Sequence, residues 1–171
     1  MLIKYKNISP QIHESAYLAE GTYIIGDVKI DADSSIWFSS VIRGDVAPVT
    51  IGKGTNIQDG TIIHTSRFNG PTHIGDYITI GHGAIIHACT LHNHSFIGMR
   101  AVVMDKAIVE EFGFVAAGAV VSPGKIVRSR QLWAGVPAKY VRDLTDSEIE
   151  HIKESALNYM KLVEDYKTKQ L

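Results

Sequence analysis

The sequence predicts an all-β fold, a parallel β-helix, followed by a single C-terminal α-helix. Aliphatic residues recur at every sixth position through most of the chain, and the final segment changes to the three- and four-residue spacing of an amphipathic helix. A six-residue period is typical of parallel β-helices, because each aliphatic residue fills the interior of a coil. We call these aliphatic residues anchors.

The period is interrupted three times. Three extra residues occur near Pro48, five extra residues occur within TSRFNGPTH, and the register slips by one around LHNHS. The anchors are Ile12, Leu18, Ile24, Ile30, Ile36, Ile42, Ile51, Ile57, Ile63, Ile74, Ile80, Ile86, Ile97, Val103, Val109, Val115 and Val121.

This pattern resembles that of the hexapeptide-repeat family over roughly residues 10 to 128, where small residues commonly follow the anchors, as in IGDVKI, IGKGTN and IGHGAI. The resemblance implies a left-handed, triangular β-helix in which three hexapeptides make one coil, one on each face. The anchors then predict about six coils, stacked about 4.8 Å apart. We assign residues 1–132 to this β-helix domain.

Residues 133–171 are predicted to form a connecting turn and a helix packed on the same domain. WAGVPAKYVR (133–142) contains proline and is expected to be irregular, whereas Thr145 and Glu148 have the spacing of a helix capping box. The apolar residues that follow form one stripe, which we expect to pack along the β-helix or against a neighbouring subunit. They are Ile149, Ile152, Ala156, Met160 and Val163.

Composition limits the classes of function. The chain has 171 residues, 45% hydrophobic and 20% charged, which suits one globular domain. A formal net charge of −1 gives no indication of nucleic-acid or membrane binding. No apolar run is typical of a signal peptide or a membrane span, and Cys89 is the only cysteine. These features predict a cytoplasmic protein in a reducing compartment.

Counting by hexapeptide places two histidines in one outer column. The anchors Ile42, Ile63 and Ile86 are three hexapeptides apart, so they stack on the same face of consecutive coils. The residues just after them are Arg43, His64 and His87. His64 and His87 can therefore share a metal ion, with Arg43 one coil away.

His82 belongs to a different face and stacks on Asp59, which follows Gln58. This second column would meet the first if two copies of the chain packed face against face. A threefold arrangement would then give three equivalent sites at subunit boundaries. Three neutral imidazoles with an open fourth position are the usual ligands of catalytic zinc, which lowers the pKa of bound water to about 7.

An ordered set of motifs resembles the γ-class carbonic anhydrases: IRGDVAPVTIG (42–52), NIQDGTIIH (56–64), IGHGAIIHAC (80–89) and IGMRAVV (97–103). The resemblance implies a homotrimer with a divalent metal, Zn²⁺ or alternatively Fe²⁺ or Co²⁺, at each subunit interface. It makes His64, His82 and His87 the metal ligands. It implies an enzyme, a lyase, in which metal-activated hydroxide attacks CO₂ to give bicarbonate.

The same resemblance suggests roles for further residues. Arg43 and Asp45 match an Arg-x-Asp motif in which the arginine reaches an aspartate across the interface, here Asp59. We interpret this contact as an ion pair that holds the trimer, with direct contact between Arg43 and bicarbonate as the alternative. Gln58 matches a glutamine that hydrogen-bonds the metal-bound water or the substrate. Tyr159 is either a site tyrosine or a packing residue.

The chain departs from the best-known members in its proton-transfer loop. TSRFNGPTH contains no Asp or Glu, Val46 follows Asp45, and Arg67 stands where a proton-shuttling carboxylate would be expected. Proton transfer would then depend on water, buffer or a nearby histidine such as His73. Weak or absent hydratase activity is the expected consequence.

Two other functions remain open from the sequence. Acyl-CoA thioester hydrolysis or CoA-dependent acyl transfer would use the same trimeric scaffold, and the GVPAK turn at 135–139 is shared with such acyltransferases. The second alternative is a non-catalytic metal-binding or assembly protein.

Overall fold

The computed structural model describes residues 1–168, and residues 169–171 of the predicted C-terminal segment lie outside the described residues. The helix α1 is Asp146–Thr168. The strands, in chain order, are β1 Leu2–Ile3, β2 Gln11–Ile12, β3 Tyr17–Leu18, β4 Tyr23–Ile30, β5 Ser35–Ile36, β6 Val41–Ile51, β7 Asn56–Ile57, β8 Ile62–His64, β9 Thr72–Ile74, β10 Thr79–Ile80, β11 Ile85–His87, β12 Thr90–Leu91, β13 Phe96–Ile97, β14 Val102–Val103, β15 Ile108–Val109, β16 Phe114–Val115, β17 Val120–Val121, β18 Ile126–Val127, β19 Gln131–Ala134 and β20 Lys139–Asp143.

These strands wind into a left-handed β-helix with three faces, which confirms the predicted fold class. Face 1 contains β1, β8, β11, β14 and β17, and face 2 contains β2, β9, β12, β15 and β18. The longer strands β4 and β6 bend from face 1 onto face 2, with a register shift between Gly26 and Val28. Face 3 contains β3, β5, β7, β10, β13, β16 and β19. Within each face the strands pair in parallel.

The β-helix has about seven turns, one more than the anchors predicted. Leu91, Val127 and Trp133 also occupy anchor positions, paired in register with the anchors of neighbouring coils. Leu91 escaped the six-residue count because it follows Ile86 by only five residues. The chain turns this shortened corner with Ala88 in the left-handed region, at φ 44°.

The anchors form one continuous core along the axis of the β-helix. Those of face 1 are fully buried: Ile24, Ile42, Ile63, Ile86, Val103 and Val121. Burying each such side chain contributes about 1.5–3 kcal/mol, so every coil has its own apolar centre. Since alternate residues of a strand point to opposite sides, the residue after each buried anchor points outward.

The expectation that residues 133–142 are irregular is wrong. Strand β19 continues face 3 by parallel pairing with β16, and β20 returns antiparallel to β19. A cis peptide bond joins Val136 and Pro137 within the connecting turn. The segment is ordered because Trp133 takes the next anchor position of face 3 and packs against the core.

The helix α1 begins at the predicted capping box. The Thr145 amide donates to Glu148 Oε2 at 2.9 Å, and the Glu148 amide donates to Thr145 Oγ1 at 3.3 Å. The helix lies along face 3, against β5, β7 and β10. Its stripe faces the β-helix, with four of the five predicted residues buried and the fifth half-buried. No helix within residues 1–168 has the length and apolarity that crossing a membrane requires.

Candidate metal centre

Two of the predicted ligands meet at one corner of the β-helix. His64 ends β8 and His87 ends β11, and the two residues are paired in parallel register, as predicted. Their anchors Ile63 and Ile86 are fully buried and fix the height of each ring. The distance between His64 Nδ1 and His87 Nε2 is 3.3 Å.

Each of these two rings is held from behind by a carboxylate. His64 Nε2 lies 3.0 Å from Asp45 Oδ1, and His87 Nδ1 lies 2.5 Å from Asp105 Oδ1. Asp45 is also paired with Arg43 of the same chain. Carboxylates of this kind fix the tautomer and orientation of a histidine whose other nitrogen binds a metal.

Both carboxylates are ionised acceptors. Burial by itself would raise the pKa of Asp45, but the hydrogen bonds from His64 and Arg43 outweigh it and lower that pKa. At Asp105 burial is again opposed, here by hydrogen bonds from Asn69 and His87, and its pKa is also lowered. An ionised carboxylate can only accept, so each facing ring nitrogen carries the proton.

The tautomers that follow leave two lone pairs facing each other. When both rings are neutral, His64 Nε2–H donates to Asp45 and His87 Nδ1–H donates to Asp105, which leaves a lone pair on His64 Nδ1 and another on His87 Nε2. Two imidazole lone pairs 3.3 Å apart repel one another unless a cation lies against both. The donor set therefore fits a divalent metal of the kind that imidazole binds.

Asp105 was missed by the sequence analysis. It follows the buried anchor Val103 by two residues, and the hexapeptide count brings Met104, not Asp105, into the column of His64 and His87. An acidic residue one position beyond the column, in the coil next to His87, was the only signal available.

The third predicted ligand, His82, lies apart from this pair. Its Nδ1 is 2.8 Å from Asp59 Oδ2, as stacking predicted, and both side chains are close to half exposed. Within residues 1–168 of one chain, no group of three His, Cys, Asp or Glu side chains converges to hold a metal. The complete ligand set therefore does not form within a single described chain.

Gln58 and His82 line a cleft of about 340 Å³ whose other walls are mostly apolar. The remaining lining residues are Gly81, Phe96, Gly98, Met99, Phe114 and Ala117. Gln58 is buried, and its Nε2 donates to Asn56 Oδ1 at 3.2 Å. Asn56 in turn donates to Thr79 Oγ1 at 2.9 Å, so the amide of Gln58 is held by the strands of face 3.

The other predicted site residues are distributed around the two histidine positions. Tyr159 packs edge-on against Trp37, with ring centroids 5.5 Å apart. Burial, followed by the nearby charge of Asp59, raises the pKa of Tyr159. Within one chain Arg43 contacts Asp45, whereas Asp59 contacts His82 from a different face. The contact between Arg43 and Asp59 stays a prediction about two chains.

His73, suggested as a relay for protons, lies on face 2 in β9. Its Nδ1 is 2.9 Å from Thr50 Oγ1, and both residues point outward from that face. His64 and His87 lie at the end of face 1, so the structure does not bring His73 together with them.

Comparison with known proteins gives consistent similarities. No family model matches the chain. Over 91% of its length the chain is 45% identical to "Gamma carbonic anhydrase 1, mitochondrial" of Arabidopsis thaliana, of which it spans 58%. It is 42% identical to the "Carbonic anhydrase" of Geobacillus kaustophilus, over 99% of this chain and 93% of that protein.

Solved structures also share the fold. A hexapeptide transferase family protein from Anaplasma phagocytophilum superimposes with a TM-score of 0.93 at 48% identity, covering 96% of this chain and 97% of the other.

Proposed function

This chain belongs to the γ-class carbonic anhydrase family, and from that membership we propose that it is a metal-dependent hydratase of CO₂. The proposed ligands are His64, His87 and His82 of the partner subunit, with Zn²⁺ as the metal and Fe²⁺ or Co²⁺ as alternatives. A metal of this kind lowers the pKa of a coordinated water to about 7 and so supplies a hydroxide nucleophile at neutral pH.

One observation carries the proposal. His64 Nδ1 and His87 Nε2 face each other at 3.3 Å with their lone pairs converging, because the opposite ring nitrogens donate hydrogen bonds to Asp45 and Asp105. A pair of surface histidines that binds no metal does not need two carboxylates to direct its lone pairs towards each other. The arrangement is what a pair of metal ligands requires.

An apolar surface beside this pair supports assembly with further copies of the chain. Tyr23, Ile62 and Ile85 point outward from face 1 and remain 42%, 46% and 40% exposed. Ile62 and Ile85 lie on the same strands as the ligands, and Tyr23 lies two coils from Ile62, with Val41 between them. A contiguous apolar stripe of this kind is typical of an interface. We propose a homotrimer in which this stripe is covered and His82 of the partner subunit completes each site.

The remaining residues hold and orient what enters the site. Asp45 keeps the His64 ring in place and is itself held by Arg43. Gln58 presents a fixed amide to the apolar cleft beside His82, which suits a small apolar substrate such as CO₂. The proposed role of Asp59 is to orient His82 and to pair with Arg43 of a neighbouring subunit. Tyr159 borders this side through its packing on Trp37.

The loop of residues 65–71 provides no carboxylate to carry a proton away, so proton release is expected to depend on buffer. The test is stopped-flow CO₂ hydration by the metal-loaded protein with and without imidazole, against a His87→Ala control. Activity that rises with imidazole and disappears in the control supports the proposal. Full metal occupancy without activity in either buffer contradicts it.

Acyl-CoA chemistry is the second candidate, since the Anaplasma relative is described as a hexapeptide transferase family protein. The apolar cleft beside His82 would then receive an acyl group, in thioester hydrolysis or CoA-dependent transfer. Turnover of acetyl-CoA by metal-free protein would favour this candidate.

The variant Gln58→Ala distinguishes a non-catalytic metal-binding or assembly function from the two enzymatic functions. Metal and trimer should be retained in either case, and only an enzyme should lose activity. The cytoplasmic location that the sequence predicts stays a prediction.

A further inference from the structure

We propose that Asp105, held in turn by Asn69, is a positioning residue that fixes the His87 ring for metal binding. The inference rests on the proposed metal site but assigns a role to two residues that neither the sequence motifs nor the proposed reaction required. Asn69 lies in the loop of residues 65–71, between β8 and β9.

Both oxygens of the Asp105 carboxylate are engaged. Oδ1 accepts from His87 Nδ1 at 2.5 Å, and Oδ2 accepts from Asn69 Nδ2 at 2.7 Å. A carboxylate held at both oxygens cannot rotate freely about its terminal bond. The direction in which it accepts from His87 is therefore set by Asn69.

The loop that carries Asn69 is itself closed by hydrogen bonds. Ser66 and Gly70 exchange backbone hydrogen bonds, each of 3.0 Å, and the Asn69 amide donates to Ser66 Oγ at 3.2 Å. The loop is also tied to the site, since Thr72 Oγ1 donates to the carbonyl oxygen of His64 at 2.6 Å. The five-residue insertion thus brings the side-chain amide of Asn69, and no carboxylate, to Asp105 in the coil next to that of His87.

The consequence for His87 concerns its tautomer as well as its orientation. With Nδ1–H donated to Asp105, Nε2 is left as a lone pair directed at His64 Nδ1. If Asp105 were absent, Nδ1 would lose this acceptor and the ring could rotate or carry its proton on Nε2. Either change removes a metal donor, and loss of such a partner typically weakens metal binding 10- to 100-fold.

The first experiment measures Zn²⁺ and Co²⁺ affinity by competition titration of the full chain. We expect Asp105→Ala to raise the dissociation constant about 10- to 100-fold. Asp105→Asn should have a smaller effect because its amide oxygen still accepts, and Asn69→Ala a smaller effect again. Glu110→Gln is the matched control: it alters a carboxylate that also accepts two hydrogen bonds, from Ser129 and Arg128, outside the site. An affinity for Asp105→Ala within about twofold of the parent overturns the proposal.

The second experiment needs neither metal nor catalysis. Nitrogen chemical shifts of ¹⁵N-histidine-labelled, metal-free protein report the tautomer of His87. We expect Nδ1–H in the parent and in Glu110→Gln, and loss of that state in Asp105→Ala or, should that variant fail to fold, in Asp105→Leu, which has a similar shape and no acceptor. A parent His87 protonated at Nε2 overturns the proposal even if CO₂ hydration is found. An Nδ1–H tautomer and intact metal binding without CO₂ hydration would support it while contradicting the proposed reaction.

Discussion

The two histidine positions of the proposed site differ in how much of their environment one chain provides. The paired half-site (His64, His87, Asp45 and Asp105) has its rings in contact and each ring backed by a carboxylate, with His64 and His87 20% and 34% exposed. The single half-site (His82 and Asp59) has 49% and 42% exposed side chains. One is preorganised by the β-helix, and the other has a single exposed contact. If the proposed trimer forms, we expect only the single half-site to depend on a neighbouring subunit for its final geometry.

Mixing two inactive variants gives the largest expected effect. His82→Ala and His87→Ala should each abolish metal binding at the interface when pure. In trimers reassembled from an equal mixture, a site is intact when the paired half-site comes from the first variant and His82 from the second. Random assembly makes that 1/2 × 1/2, or about a quarter of the sites. Metal stoichiometry and CO₂ hydration both measure the recovery.

Recovery near zero after verified subunit exchange would mean that the two half-sites belong to one chain or to different metals. A mixture of His64→Ala and His87→Ala serves as the control, because both changes fall in the paired half-site. That mixture should recover nothing.

Charge placed in the apolar stripe of face 1 should separate the half-sites without altering either. We expect Ile85→Asp to yield a monomer that keeps its secondary structure and loses metal binding, since a hot-spot residue near the centre of an interface contributes about 2 kcal/mol or more. Sedimentation velocity and metal titration are the measurements. Ile108→Asp, an outward position of β15 on face 2, is the control and should remain assembled. A fully metal-loaded Ile85→Asp monomer would contradict an interfacial site.

Asp59→Asn compares the two kinds of backing carboxylate. We expect it to weaken metal affinity by less than Asp105→Asn does, because the contact of Asp59 with His82 is more exposed than that of Asp105 with His87. Titration of the assembled protein gives this ranking. An unchanged metal affinity with an increased trimer dissociation constant would show instead that Asp59 acts through Arg43 of a neighbouring subunit.

The smallest effect is expected at the N-terminal cap of α1. This helix packs on β7 and β10, the strands that precede Asp59 and His82 of the single half-site. The hydrogen bond from Arg142, followed by that from the Thr145 amide, lowers the pKa of Glu148 to about 2. Since this lies below the ordinary value of about 4.3, ionised Glu148 stabilises the fold above that pH and the contribution is lost as pH falls towards 2.

Glu148→Gln should therefore lower the free energy of unfolding at pH 7 and converge with the parent as pH approaches 2. Denaturant melts across this range are the measurement. Glu150→Gln is the matched control, since Glu150 lies on the same helix in an exposed contact with Lys153. A difference that persists undiminished at the lowest pH would exclude the ionised cap as its cause.

Much of the paired half-site could be predicted from the sequence. The six-residue period sets which residues share a face, so counting from the buried anchors was enough to stack His64 on His87 and His82 on Asp59. The capping box of α1 could also be predicted from the sequence, because its donors and acceptors lie within four residues of one another. In each case the information is local or strictly periodic.

What the count missed lies where the period breaks or where side chains cross between coils. The five-residue step to Leu91 and the hairpin of β19 and β20 depend on which residue fills the next core position, which spacing alone does not state. The contact of Asp105 with His87 depends on a rotamer, and the approach of Asn69 depends on the path of an inserted loop.

By itself, therefore, the sequence determined the β-helix, its C-terminal helix and the columns of histidines, because a repeated burial pattern leaves one register that keeps every anchor inside. Only the tertiary structure decided which nitrogen of each ring faces its neighbour. That outcome rests on hydrogen bonds between side chains distant in the sequence, such as His87 with Asp105 and Asp105 with Asn69, whose geometry no periodicity specifies.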